Sequence, residues 1–109
     1  MLGIIGAMEV EVEKLRAKMT ETEMKTVAGM NFCKGKLEGK DVVIVRSGIG
    51  KVNAAMCAQI LADVYHADHV INTGIAGSLK AEINIGDIVL STDALQHDMD
   101  ARAFGYEPG

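Results

Sequence analysis

The residues best suited to chemistry lie close to the N-terminus. Glu9, Glu11 and Glu13 follow at once on the run Met1-Leu2-Gly3-Ile4-Ile5-Gly6-Ala7-Met8. A carboxylate just past the end of a strand sits where α/β proteins tend to hold ligands. On residue grounds Glu11 has two readings. It complements the positive end of a helix dipole, a task Glu9 and Glu13 could share. Alternatively it is a general acid or base reaching into a pocket at the strand end. Two later small-residue bends, Ser47-Gly48-Ile49-Gly50 and Gly74-Ile75-Ala76-Gly77, resemble Gly6-Ala7-Met8 in following apolar runs. Glycine allows close backbone approach to a ligand. Each bend alone only turns the chain, but three at corresponding strand ends point to a shared pocket.

The other polar groups offer less. His97, Asp98 and Asp100 form an HDxD cluster with no second imidazole, a poor zinc set. A loop packed by side-chain hydrogen bonds accounts for them better. Cys33 and Cys57 have neither CxxC spacing nor a paired histidine, and read as reduced packing residues. Gly48-Ile49-Gly50-Lys51 looks like the end of a phosphate-binding loop. That loop needs a glycine where Val45 stands and a Ser or Thr where Val52 stands. Gly3-Ile4-Ile5-Gly6 lacks the dinucleotide fingerprint's spacing. ATP hydrolysis and NAD binding are therefore set aside. Phe104 and Tyr106 are aromatics in a chain with only 4% of them. They pack on a ligand or a partner subunit, or serve as a plain hydrophobic anchor.

The elements that must position these groups follow from hydrophobic patterning. Leu2 to Ala7 reads as a strand buried on both faces. Glu9 to Met19 reads as a helix with Val12, Leu15, Arg16 and Met19 on one side. Thr20 to Thr26 is polar and reads as a turn leading into a strand. Asn31 to Leu37 and Asp41 to Arg46 flank Glu38-Gly39-Lys40, a hairpin-like connection. Val52 to Tyr65 reads as an alanine-rich helix, with Val52, Ala55, Met56, Gln59 and Ile60 near one stripe. His69 to Thr73 reads as another buried strand and Ile88 to Ser91 as a last one. His97 to Gly109 is polar and irregular. Strands linked by helices predict an α/β layer fold with a mixed central β-sheet flanked by helices.

At 109 residues the chain is one domain at most. Hydrophobic residues make up 49% and Trp is absent, so the core must be aliphatic. Eleven basic against fifteen acidic residues give a net charge of −4. That argues against a nucleic-acid partner, which needs a basic patch. No run approaches membrane-spanning length and no secretory signal precedes the first strand, so no membrane partner and a cytoplasmic location are expected.

Several of these segments together resemble a known family. They are Gly3-Ile4-Ile5-Gly6-Ala7-Met8-Glu9, Ser47-Gly48-Ile49-Gly50-Lys51-Val52, Asn72-Thr73-Gly74-Ile75-Ala76-Gly77, Gly86-Asp87-Ile88-Val89 and Ala103-Phe104-Gly105-Tyr106. In that order they resemble the 5′-methylthioadenosine/S-adenosylhomocysteine nucleosidases of the nucleoside phosphorylase superfamily. The likeness covers nearly all of the chain but only about the N-terminal half of a family member. It implies a nucleoside phosphorylase-like fold, incomplete here, with residues 1–109 as the N-terminal portion of a single nucleosidase domain.

The resemblance also implies a reaction: hydrolysis of the N-glycosidic bond between adenine and a 5′-thio-substituted ribose. It implies a small-molecule nucleoside substrate, a homodimer, and no metal or organic cofactor. By position Glu11 matches the glutamate that activates the attacking water. Ala7 and Met8 match positions beside the ribose and thioalkyl group, and Ile49 matches an apolar wall of the thioalkyl pocket. Ala76 and Gly77 match the loop under base and sugar. Ile75 stands in that loop where the family commonly has a small hydroxyl residue. Ala101, Phe104 and Tyr106 match a segment that reaches into the neighbouring subunit's pocket.

The related phosphorylases tend to carry a phosphate-gripping arginine where this chain has Asn72, which favours water as the nucleophile. The family's second ribose-binding glutamate and the aspartate that protonates adenine match no position here. The fragment is therefore expected to be inactive alone, with exposed sheet edges prone to association. A non-catalytic nucleoside-binding or dimerisation module and a nucleoside phosphorylase fragment are the alternatives.

Overall fold

The computed structural model describes residues 1–98, 102–105 and 107. Contacts divide the chain into two units, Met1–Ala76 and Gly77–Gly109.

The first unit is a five-stranded mixed sheet with a helix on each face. Its elements are β1 (Leu2–Gly6), α1 (Glu9–Ala17), β2 (Thr20–Val27), β3 (Met30–Leu37), β4 (Lys40–Arg46), α2 (Lys51–Asp63) and β5 (His69–Asn72). The spatial order is β2-β3-β4-β1-β5. β1 runs parallel to both β4 and β5, while β2, β3 and β4 form an antiparallel meander. The parallel trio places the C-terminal ends of β4, β1 and β5 side by side.

Alternation along the strands builds two cores. Ile5, Val43 and Val45 face α2 and pack with its Cys57 and Leu61. Ile4, Val42 and Ile44 face the other way and pack with Val12 of α1. Phe32 in the first core stacks on Tyr65, with ring centroids 5.3 Å apart. As expected, β1 is buried on both faces. The interior is aliphatic except for Phe32, which is fully buried. Val12 and Met19 are buried and Leu15 is half-buried, matching the predicted α1 stripe. Cys33 and Cys57 are free thiols inside the two cores.

Four expectations give way. Thr20–Val27 is a strand and not a polar turn. It is an edge strand with almost every residue exposed, so burial imposes no apolar alternation on its sequence. The predicted buried strand at His69 to Thr73 forms as β5, but all four of its residues are exposed. It too lies at an edge, and only β1 pairs with it.

Ile88 to Ser91 is not in a strand, and Ile88, Val89 and Leu90 are 65–90% exposed. An apolar run becomes a strand only when a partner takes its backbone hydrogen bonds. The α2 stripe is rotated from the one expected. Cys57 and Leu61 face the sheet, while Val52 is 76% and Met56 40% exposed. Small and apolar residues surround this helix, so the sequence lacks a strong periodic signal.

Within the second unit, local turns supply the described order. Ser78 Oγ accepts from Lys80 N at 3.0 Å, and Asp87 Oδ2 accepts from Asn84 N at 2.7 Å. A single 3₁₀ turn spans Arg102–Phe104.

Candidate active site

The three bends meet along one edge of the sheet because their strands are parallel neighbours. Ser47 N donates to Gly6 O at 2.9 Å, and Thr73 N donates to Ile5 O at 2.9 Å. These bonds carry the ladder one step past the strand ends and hold the bends in register.

Glu11 stands at this corner. Its Oε2 accepts from Ala7 N at 2.7 Å and from Met8 N at 3.1 Å. Its Oε1 lies 3.5 Å from Ile75 N, a residue 64 positions away in sequence. The side chain thus reaches back over the start of α1, whose first amides have no partner inside the helix. The same contacts link the β1 bend to the β5 bend. The Met8 amide foremost, with those of Ala7 and Ile75, holds the Glu11 carboxyl below its ordinary value of 4.5, against a smaller opposing effect of burial. The group is therefore an ionised proton acceptor at neutral pH. The dipole-complementing role and the strand-end position are both realised by one carboxylate.

Beside this corner lies an open cleft of about 530 Å³ lined by Ala7, Met8, Arg46, Ser47, Ile49 and Asn53, among others. Gly48 and Gly50 take positive φ (84° and 102°), which turns the chain from β4 into α2. Asn53 Nδ2 donates to Ile49 O at 2.8 Å and ties the bend to the first turn of the helix. Ile49 is 74% exposed on this wall. Glu9 also lines the cleft, but its carboxylate meets Arg16 at 2.6 Å and Arg46 at 4.0 Å.

Of the residues singled out from sequence, the structure brings together Glu11, Ala7, Met8 and Ile75, with Ile49 across the cleft. Ala76 follows Ile75 at the end of the first unit and is exposed. Gly77 and Phe104 belong to the second unit, where Phe104 is 83% exposed. Ala101, Tyr106 and Asp100 lie outside the described residues. Sequence reasoning missed Asn53 and the pairing of Glu9 with Arg16. The first was signalled by its place in the opening turn of α2, the second by a separation of seven residues, two turns of one helix. Among the described residues no group of three His, Cys, Asp or Glu could hold a metal ion.

The profile of the phosphorylase superfamily matches residues 1–109. The chain belongs to that superfamily. Within it, the chain is 53% identical over 108 residues to a 5′-methylthioadenosine/S-adenosylhomocysteine nucleosidase of Shewanella loihica, covering 99% of this chain and 47% of that one. A crystal structure of such a nucleosidase from Colwellia psychrerythraea in complex with adenine superposes with a TM-score of 0.96 at 52% identity. It covers 99% of this chain and 45% of that one. The Neisseria meningitidis nucleosidase with methylthio-immucillin-A gives a TM-score of 0.93 at 43% identity, over 96% of this chain and 46% of that one. The chain spans about half the length of these relatives. The mixed sheet flanked by helices is thus the phosphorylase-superfamily fold as far as these residues carry it.

Proposed function

We propose that this chain forms the N-terminal portion of a single nucleosidase domain that hydrolyses the N-glycosidic bond of 5′-methylthioadenosine and S-adenosylhomocysteine, releasing adenine. The observation that carries the reading is the Glu11 carboxylate, fixed between the β1 and β5 bends and ionised at neutral pH. In such a reaction the ribose becomes oxocarbenium-like as the purine departs. A carboxylate then takes a proton from water as it attacks the sugar, the logic of two-carboxylate glycoside hydrolysis. Glu11 is that base. Ala7, Met8 and Ile49 supply the wall for the sugar and its apolar 5′ substituent, and Ile75, Ala76 and Gly77 form the loop beneath them. Ala101, Phe104 and Tyr106 cross to a second copy in a cytoplasmic homodimer. The chemistry needs no metal or organic cofactor. No helix among the described residues is long and apolar enough to cross a membrane.

The purine must also be protonated as it leaves. Within residues 1–76 the carboxylates at the bends are Glu9 and Glu11, and Glu9 is engaged by two arginines. The 109 residues alone are therefore expected to release no adenine at a meaningful rate.

A chimera tests the assignment. Residues 1–109 replace the matching segment of the Shewanella nucleosidase, and adenine release from 5′-methylthioadenosine is followed. The chimera is expected to turn over without phosphate. Glu11→Gln in it should lose at least about a hundredfold in kcat, the scale of a general base. An undiminished Gln variant would remove Glu11 from the mechanism. Turnover that requires phosphate would make the chain part of a phosphorylase. Nucleoside-dependent thermal shifts without adenine release would make it a binding module.

A further inference from the structure

Gly74 has no backbone reason to be glycine. It is absent from the residues with positive φ, so its conformation suits any L-residue. What forbids a side chain is Glu11. A Cβ built on Gly74 would lie 2.8 Å from Glu11 Oε1, 2.9 Å from Cδ and 3.2 Å from Oε2. No other group lies closer to that position. On the other flank, a Cβ on Gly6 would lie 2.6 Å from Val12 Cγ1 and 3.0 Å from Glu11 Cβ. The carboxylate thus occupies a slot that Gly74, in the bend after β5, keeps open, while Gly6 at the end of β1 leaves room for Val12 and the stem of Glu11.

The two oxygens of that carboxylate are held unequally. Oε2 takes two amides of the β1 bend, at 2.7 and 3.1 Å. Oε1 has a single long contact, 3.5 Å from Ile75 N. It is also the oxygen that a Gly74 side chain would strike first.

We infer that Gly74 is a positioning residue: its missing side chain lets Glu11 keep Oε2 anchored on the Ala7 and Met8 amides and Oε1 turned toward the β5 bend as the proton-accepting atom. The link to catalysis rests on the proposed function. The geometry does not, and it is tested without substrate.

The atom in the way is the end of a flexible side chain and not backbone. Gly74→Ala should therefore fold, with the carboxylate displaced. The test is an NMR titration of the Glu11 carboxyl in the 109-residue chain, with the amide resonances of Ala7, Met8 and Ile75 followed alongside. In Gly74→Ala the Glu11 midpoint should rise toward its ordinary 4.5, and all three amides should shift. Gly3→Ala is the control. Its Cβ would meet Leu61 Cδ1 at 2.9 Å, so it disturbs the core and should leave the Glu11 titration where it was. An unchanged midpoint and unchanged amides in Gly74→Ala would overturn the inference, as would an equal shift in Gly3→Ala. Should Gly74→Ala not fold, the double variant Glu11→Ala/Gly74→Ala decides. Recovery of the fold supports the steric conflict, and failure to recover overturns it. These readouts stand whether or not the chimera releases adenine.

Discussion

The two units of the chain are both rich in aliphatic residues, yet they keep them differently. Every buried hydrophobic residue described lies in Met1–Ala76. In Gly77–Gly109, Leu79, Ile85, Ile88 and Leu90 are nearly fully exposed. The first unit closes on itself because β1 pairs with β4, some forty positions on, and with β5 beyond that. Two helices then cover its faces. Among its described residues the second unit has short-range hydrogen bonds, over two or three residues, and no strand ladder. Apolar side chains become a core only where backbone pairing across long separations first builds a surface to pack against.

The sharpest way to break this contrast is to truncate one leucine in each unit. Leu61 is fully buried between α2 and the sheet, whereas Leu90 is 89% exposed. Leu61→Ala should cost about 2–5 kcal/mol, from lost transfer energy and the cavity left behind. Leu90→Ala should stay within about 0.5 kcal/mol of the parent. Urea unfolding of the two variants measures both. Equal costs would mean that the second unit has a core of its own.

Next in size is the protection of the two thiols. Burial pushes Cys57 up to about 11, and burial also raises Cys33, partly offset by the nearby Arg16 charge. The thiolate is the reactive form. At pH 8 iodoacetamide should label neither cysteine in the folded chain and both in denaturant, as followed by mass spectrometry. Rapid labelling of Cys57 without denaturant would mean that α2 lifts readily from the sheet, and the closed first unit would lose its claim.

The same contrast explains what the sequence disclosed. α1 was legible because charged Glu9, Glu11, Glu13 and Lys14 alternate with Val12 and Leu15, so its inner face stands out. The β3–β4 hairpin was legible through Glu38-Gly39, both of which take positive φ in the turn. A similar signal, Ala28-Gly29, marked the β2–β3 turn and went unread because β2 itself carries no apolar alternation. The face of α2 was hidden by its uniform composition. Ile88 to Ser91 has the residues of a strand, but pairing is a property of two segments and cannot be read from one.

At the site, Glu11 and the three bends were visible because strand-end glycines and a following acid are local patterns. Which bends would touch the carboxylate depended on strand order. So did the reason for Gly74, since its constraint comes from a side chain 63 positions earlier and leaves no mark on neighbouring residues.

The smallest expected effect lies where local and long-range structure meet. Three amides grip the ionised Glu11 carboxylate, two from the β1 bend just before it and one from the bend after β5, so its folded titration point lies below its unfolded one. A group depressed in this way stabilises the fold above its unfolded value, and that contribution is lost as pH falls through the folded value. Glu11→Gln keeps an acceptor oxygen but cannot ionise. The variant should melt slightly lower than the parent at pH 7, and the two melting curves should converge on acidification below about pH 4.5, where the parent protonates. Asp41, held low by Lys36, and Asp68, held low by His69 and the N-terminus, give both proteins a common acid loss. The difference between the curves, and not either curve alone, therefore reports Glu11. Parallel curves would mean that the amides hold the neutral and charged forms equally. The carboxylate would then be no more than a helix cap, and the bond from Ile75 would have no part in joining β5 to the corner.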